Sequence, residues 1–169
     1  MAFKKIAVED LMMNPFTKMG KEWMLITAGN QTSGINTMTA SWGGVGVLWN
    51  KNVATAYIRP QRYTKKFVDE NDYFTLSFYD LKDQKALAYL GKVSGKDEDK
   101  VAHVGFHPII NNDYGYFKEA TMVLVCKKLY HAPILASGFV EKDLDQKNYP
   151  SKDYHEMYIG EIVEVFVKE

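Results

Sequence analysis

Cysteine is nearly absent from this chain: Cys126 is the only one in 169 residues. A single thiol excludes an intrachain disulfide and a cysteine-based zinc cluster, and it fits a reducing compartment. An excess of either charge is also absent, with 21 Lys and Arg against 21 Asp and Glu. No global field would draw the chain to nucleic acid or anionic lipid. No apolar run approaches the roughly 20 residues a membrane helix needs. Met1 to Asp10 is charged and lacks an apolar core segment, so no signal peptide is read there. These absences lead us to expect a cytoplasmic protein with neither nucleic-acid nor membrane partner. Several catalytic signatures are missing as well. No glycine fingerprint follows a strand, which argues against a Rossmann domain. There is no HExxH motif, and His103 and His107, four apart, are separated by Gly105 and followed by Pro108, so no metal site is expected. No G-x-S-x-G elbow appears, and the acidic residues are too scattered for paired-carboxylate chemistry.

What is present is apolar and aromatic, 46% and 14% of residues respectively, enough to exclude disorder and to build one core. Residues 1–169 therefore read as a single domain, without repeat, linker or low-complexity tract. Short β-branched runs broken by turn residues predict strands over Glu22–Ala28, Gly34–Ser41, Val53–Ile58, Tyr73–Tyr79, Thr121–Tyr130, Ile134–Val140 and Glu156–Val167. In Tyr73–Tyr79, Phe74, Leu76 and Phe78 share one face. Gly160 reads as a bulge in the last strand. Helical spacing appears over Tyr63–Glu70, Asp83–Leu90 and Lys96–Val104. Asn111–Tyr116 and Asp143–Ser151 read as polar loops. The order predicts a mostly β protein, an antiparallel barrel with peripheral helices.

Two segments carry the chemistry. Asn36-Thr37-Met38-Thr39-Ala40-Ser41-Trp42 offers an amide, three hydroxyls and small residues that let a backbone lie close to a flat, polar-edged ring. By itself the pattern is more commonly an ordinary half-buried Thr-rich strand. Arg59, Arg62, Tyr63 and Thr64 follow at the start of a predicted helix. Arginine forks match phosphate oxygens, and the free N–H groups of a first turn favour an anion. Alone, these residues are more commonly a solvated basic loop. Their succession shifts the balance toward a flat heteroaromatic ring joined to a phosphate. Ser94-Gly95-Lys96, with Lys100 beyond, supplies further donors, although in isolation it is a charged helix start. His155 sits before the last strand, at the mouth of such a site, in a position where an exposed loop histidine is more common. His131 reads as structural and Cys126 as a small buried hydrophobe.

Taken in order, N-T-M-T-A-S-W-G-G at 36–44, R-P-Q-R-Y-T at 59–64, S-G-K-D-E-D-K at 94–100 and the stretch from Asp153 to Ile162 resemble the flavin reductase-like family of FMN-binding split-barrel proteins. The likeness runs from Trp23 to Val167. It implies a Greek-key split barrel and a homodimer with FMN near the subunit interface. It implies that residues 36–42 meet the ring and ribityl chain, and that Arg59, Tyr63 and Thr64 serve the phosphate with Ser94–Lys96 and Lys100. It implies hydride transfer from NADH or NADPH to FMN and electrons passed onward, with no side chain required as general acid. In some relatives a histidine in the place of His155 lies near the nicotinamide; many carry Asp before it, where this chain has Tyr154. The Trp42-Gly43-Gly44 sequence resembles flavoredoxin-like members. That leaves a second reading, an electron carrier with tightly bound FMN reduced by a protein partner. A third is a flavin- or haem-binding module without turnover.

Overall fold

The structure is a computed structural model that describes residues 2–169. Alternation of apolar residues drives most of its strands. In chain order they are β1 (Phe3–Ile6), α1 (Pro15–Lys18), β2 (Met24–Asn30), β3 (Gly34–Ala40), β4 (Gly43–Leu48), β5 (Lys51–Ile58), α2 (Tyr63–Glu70), β6 (Tyr73–Phe78), α3 (Gln84–Lys92), α4 (Lys100–Val104), β7 (Pro108–Ile110), β8 (Gly115–Phe117), β9 (Met122–Pro133), α5 (Lys142–Asn148) and β10 (Glu156–Lys168). The main sheet runs β3-β2-β6-β9-β10-β5-β4, with β1 added on β10. Its pairings are antiparallel, as expected for strands joined by short turns.

Strand alternation divides the core in two. Ile26, Ala28, Phe74, Leu76, Phe78, Leu124, Cys126, Tyr158 and Val165 fill one cluster, on the inner face of the sheet. Leu25, Val123 and Val125 point the other way, onto Leu87 and Leu90 of α3 and onto Tyr116 and Phe117 of β8. Thr75 and Ser77, expected opposite Phe74, Leu76 and Phe78, do lie on the second face, but that face is covered too. Both are fully buried, and the Thr75 hydroxyl donates to Gly115 O at 2.8 Å. Gly160 is a bulge: the β9–β10 register shifts between Ile159 and Gly160. A Cβ there would lie 2.8 Å from Cys126 Cβ and 2.9 Å from the Phe74 ring, so the strand crosses the core only with glycine at that point. Cys126 is the small buried residue the sequence suggested, its thiol pushed up by burial.

Several elements differ from the sequence reading. The segment 134–140, expected as a strand, is a loop with one 3-10 turn at Ala136–Gly138; β9 instead runs on to Pro133, where proline ends the ladder. Lys142–Asn148, which overlaps the expected polar loop Asp143–Ser151, is helical, with Asp143 and Asp145 in its first turn, where negative charge favours the helix dipole. The charged helix is shorter than read, Lys100–Val104, because Asp99 caps it by accepting from Ala102 N at 3.0 Å. Strand β4 has no clear sequence signal, because Gly43, Gly44 and Gly46 weaken it. It pairs with β5 through the two-residue turn Trp49-Asn50, whose φ values are 52° and 56°, the left-handed pair that a tight hairpin requires. The β7–β8 hairpin and β1 were also too short to read.

The seven-strand path of the main sheet ends at β3 and β4, and only Ser41 and Trp42 separate them in sequence. Here the chain leaves one half of the sheet for the other. The opening left between the two edges positions the site. No helix is long and apolar enough to cross a membrane among the described residues.

Candidate functional site

Two cavities meet at the end of β3. The first, about 210 Å³, is lined by Met38 to Trp42 together with Tyr57, Arg59, Arg62 and His155. The second, about 230 Å³, shares Met38, Arg59 and Arg62 with it, and is closed by Asn36, Tyr63, Thr64, Ser94, Gly95 and Lys100. The sequence motifs, far apart in the chain, thus converge on one trough.

The second cavity is held together from below. Asn36 Nδ2 donates to Thr64 Oγ1 at 2.8 Å, tying β3 to the first turn of α2. The Asn36 amide oxygen occupies the space over Gly95, where any Cβ would stand 2.2 Å from it. Only glycine permits the Ser94-Gly95 turn to lie this close to β3. Ser94 Oγ accepts from Lys96 N at 3.2 Å, shaping the same turn. Arg62 Nη1 donates to Gly91 O at 2.6 Å, bridging the start of α2 to the end of α3. Lys100, 4% exposed, donates from Nζ to Leu90 O at 2.7 Å and Val93 O at 2.8 Å.

Among the described residues these two cations have no acidic partner. Burial and then the neighbouring Arg62 hold Lys100 down at about 8, and burial and then Arg59 lower Arg62. No carboxylate figures among the groups acting on either. A buried positive charge without a counter-ion is costly unless something anionic arrives. The cavity is therefore chemically incomplete in the manner of a phosphate site, with carbonyls fixing the cations and a glycine turn opening the space.

The first cavity is different in kind. Thr39, Ala40 and Ser41 present the end of a strand; Trp42, 47% exposed, forms a rim with its ring 5.0 Å from that of His155. His155 is buried, contrary to the exposed loop position its sequence context suggested. Its Nδ1 lies 2.8 Å from Tyr149 Oη. Burial, then Arg59, holds the imidazole down at about 4, so it is neutral at ordinary pH.

Three expected residues turn out otherwise. Thr37 is fully buried; its hydroxyl lies 2.8 Å from Thr27 Oγ1 and donates to Ile26 O at 3.1 Å, so it faces the core and not the trough. Lys96 lies outside the second cavity, its ammonium 5.1 Å from the centre of the Tyr63 ring. Arg59 lines both cavities, but its guanidinium is engaged elsewhere. It pairs with Asp153 Oδ2 at 2.7 Å, donates to Asn148 O at 2.9 Å and lies 5.0 Å over Tyr149. The arginine clasps the α5 segment to the body. Sequence reading missed Tyr57, which shares a strand face with Arg59 two residues on and could have been found by alternation. It also missed Tyr149, for which no local pattern gives a signal.

The flavin reductase like domain matches residues 16–169. The chain belongs to that family, and its structural neighbours include FMN-binding split-barrel proteins. It is similar to the flavoredoxin of Desulfovibrio vulgaris (Miyazaki F), at 25% identity and a TM-score of 0.67 over 87% of this chain and 69% of that one. An FMN-binding domain of a flavin reductase-like enzyme from Shewanella baltica gives 14% identity and a TM-score of 0.69 over 98% and 77%. Nitrilotriacetate monooxygenase component B from Bacillus cereus gives 16% and 0.67 over 99% and 83%. No curated protein matches the chain.

Proposed function

We propose that the trough binds FMN, its phosphate in the second cavity and its ring in the first, and that the protein is an oxidoreductase taking hydride from NADH or NADPH and passing electrons onward. The observation that carries this is the buried Lys100 and the half-buried Arg62, which line one cavity with Gly95 and have, among the described residues, no acid to neutralise them. A phosphate dianion supplies the missing charge. The ribityl chain would then run along Met38, which lines both cavities, and the ring would reach Thr39 to Trp42.

FMN when bound supplies the redox chemistry, and the protein's part is placement. Arg62, Lys100 and the Ser94-Gly95 turn hold the anionic end. The backbone at Thr39, whose own hydroxyl donates to Leu87 O at 2.5 Å, and the backbone and hydroxyl of Ser41 meet the polar ring edge. Trp42 and His155 border the open side, where a second planar reactant can approach and water is limited. His155, neutral, offers one hydrogen bond there and no proton to spare.

A second copy of the chain fits beside this site. An apolar groove of about 600 Å³ runs from Phe16 and Met19 across Trp42, Gly43 to Val45, Tyr57 and Ile134. Phe16 is 86% exposed, and Val47, Trp49 and Leu135 add apolar surface nearby. Apolar surface of this kind marks an interaction face, and we assign it to a homodimer. The alternative reading, a flavoredoxin-type carrier reduced by a protein partner, is favoured by the likeness to the Desulfovibrio protein and by Trp42-Gly43-Gly44.

The purified protein tests this directly. A visible flavin spectrum, or uptake of added FMN with much weaker uptake of riboflavin, is expected; neither being seen overturns the binding site. Anaerobic addition of NADH or NADPH to the loaded protein then separates the two readings. Bleaching of the flavin band in catalytic times supports the reductase, and no bleaching supports the carrier. Sedimentation should give twice the chain mass, and a monomer at micromolar concentration would remove the dimer.

A further inference from the structure

The His155 ring has one nitrogen engaged and one open. Nδ1 is 2.8 Å from Tyr149 Oη; Nε2 has no hydrogen-bond partner among the described residues and is not sealed from solvent. His155 lines the first cavity, so the free nitrogen is the one available to a ligand there. Which nitrogen carries the proton decides whether the ring donates or accepts.

The tyrosine settles it by counting hydrogens. A phenol has one hydrogen to give. Burial raises Tyr149 above the ordinary tyrosine range, so it keeps that hydrogen. Among the described residues its only side-chain hydrogen-bond partner is His155 Nδ1. Were Nδ1 the donor, the phenolic hydrogen would be left without an acceptor in a buried pocket, a cost of about 1–3 kcal/mol. The satisfied arrangement has Tyr149 donating to an unprotonated Nδ1, which leaves the single imidazole proton on Nε2.

We propose that Tyr149 is a positioning residue that locks His155 as a neutral Nε2–H donor aimed at a carbonyl oxygen of the planar reactant in the first cavity, a carboxamide in the case of a nicotinamide. This rests on the proposed function for the identity of that reactant, but the tautomer itself does not.

The surroundings maintain the lock. Arg59, from the end of β5, lies over the Tyr149 ring and beside the imidazole, and both it and Arg62, from the start of α2, oppose a charge on His155. Asp153 acts the other way but is already paired with Arg59 at 2.7 Å. Trp42 covers one side of the ring without titrating. Tyr57 of β5, which lines the same cavity, also opposes ionisation of Tyr149. Tyr149 itself is held by the clasp: Arg59 donates to Asn148 O at 2.9 Å, one residue before it. The residue that the sequence suggested for phosphate thus serves to hold the tyrosine that sets the histidine.

Nitrogen-15 spectra of the imidazoles in the full-length protein test this, with His155 assigned by comparison with His155→Gln. The expected wild-type pattern is an unprotonated Nδ1 and a protonated Nε2, unchanged from about pH 5.5 to 8.5 given the low position of this group. Tyr149→Phe should give a mixture of tautomers. In turnover it should raise KM for the nicotinamide donor about three- to tenfold with kcat little changed, the loss of one neutral hydrogen bond. A protonated Nδ1 in the wild type overturns the proposal, and that spectrum needs no variant to fold. So does Tyr149→Phe with an unchanged tautomer and KM. If the wild-type tautomer is as expected but no nicotinamide is oxidised, the reductase reading fails and the tyrosine lock stands.

Discussion

The two ends of the trough are built on opposite plans. At the phosphate end almost every polar group is already tied to the protein: Asn36 to Thr64, Arg62 to Gly91 O, Lys100 to Leu90 O and Val93 O. What is missing is only negative charge. At the ring end the hydrogen bonds are few, Trp42 is half exposed, and His155 keeps one nitrogen free. A preformed anion site costs little reorganisation when its ligand arrives, so binding energy concentrates there. An open, aromatic-rimmed end leaves room for a second reactant. The difference teaches that affinity and reactivity are divided along the trough, and variants at each end should separate them.

The largest effect is expected from Gly95→Ala. The new methyl would stand 2.2 Å from Asn36 Oδ1, and relief requires breaking the Asn36–Thr64 contact or moving the Ser94 turn. Overpacking of up to about 3 kcal/mol falls directly on the phosphate cradle, so FMN affinity should drop by up to about 150-fold. Titration of the flavin fluorescence reads this. Affinity within threefold of wild type would mean that the turn is not part of the cradle.

Arg62→Ala comes next. Removing one charge-assisted contact should weaken FMN about ten- to a hundredfold while riboflavin, which lacks the phosphate, binds as before. Equal losses for both ligands would show that the arginine acts through the fold and not on the phosphate.

The residues that carry this comparison were unequally legible. Asn36, Arg62, Thr64, Gly95 and Lys100 belong to contiguous motifs, and their convergence follows from strand and helix positions that alternation and helical spacing revealed, α2 at its observed bounds. Thr37 and Lys96 lie in the same motifs, yet face away. A strand turns every other residue to the core, and whether Thr37 or Asn36 faces the ligand depends on which sheet face is open. The β7–β8 hairpin and α3 cover the second face through contacts distant in sequence. Tyr149 and the clasp on Arg59 were illegible for the same reason: α5 meets the end of β5 only through tertiary packing, and Arg59 Nη2 donates to Asn148 O across 89 residues.

A smaller effect tests the charge balance at the phosphate end. Lys100 sits at about 8, below its ordinary 10.5, because burial and Arg62 oppose its charge. Phosphate favours the charged form, so binding takes up a proton, and FMN affinity should decline as pH rises through about 8, by up to about tenfold per unit. Lys100→Met should flatten that slope. The ligand-free protein should behave oppositely. Its unfolded state binds more protons between about 8 and 10.5, so stability rises with pH across that window. Denaturation midpoints at several pH values, with and without FMN, read both signs. A ligand-free stability that falls over this range would show that the lysine is not buried as a charge.

The smallest change in affinity is expected from the residue that looked most like a phosphate anchor. Arg59 already has Asp153 at 2.7 Å, so its charge is largely spent. Arg59→Ala should alter FMN affinity by less than about threefold, in the range of a partly exposed ion pair. The consequence should appear instead in the α5 segment: faster amide exchange and proteolysis around residues 142–153, which that guanidinium ties to the end of β5. His155 should respond too, since Arg59 is second only to burial among the causes that hold it at about 4, below its ordinary 6.5. The unfolded state binds more protons between those values, so wild-type stability falls as pH drops through that window, and Arg59→Ala should shift the loss to a narrower range nearer 6.5. If the variant instead loses FMN as severely as Arg62→Ala, with α5 exchange unchanged, the division between a binding end and a reactive end is misplaced, and Arg59 belongs to the phosphate.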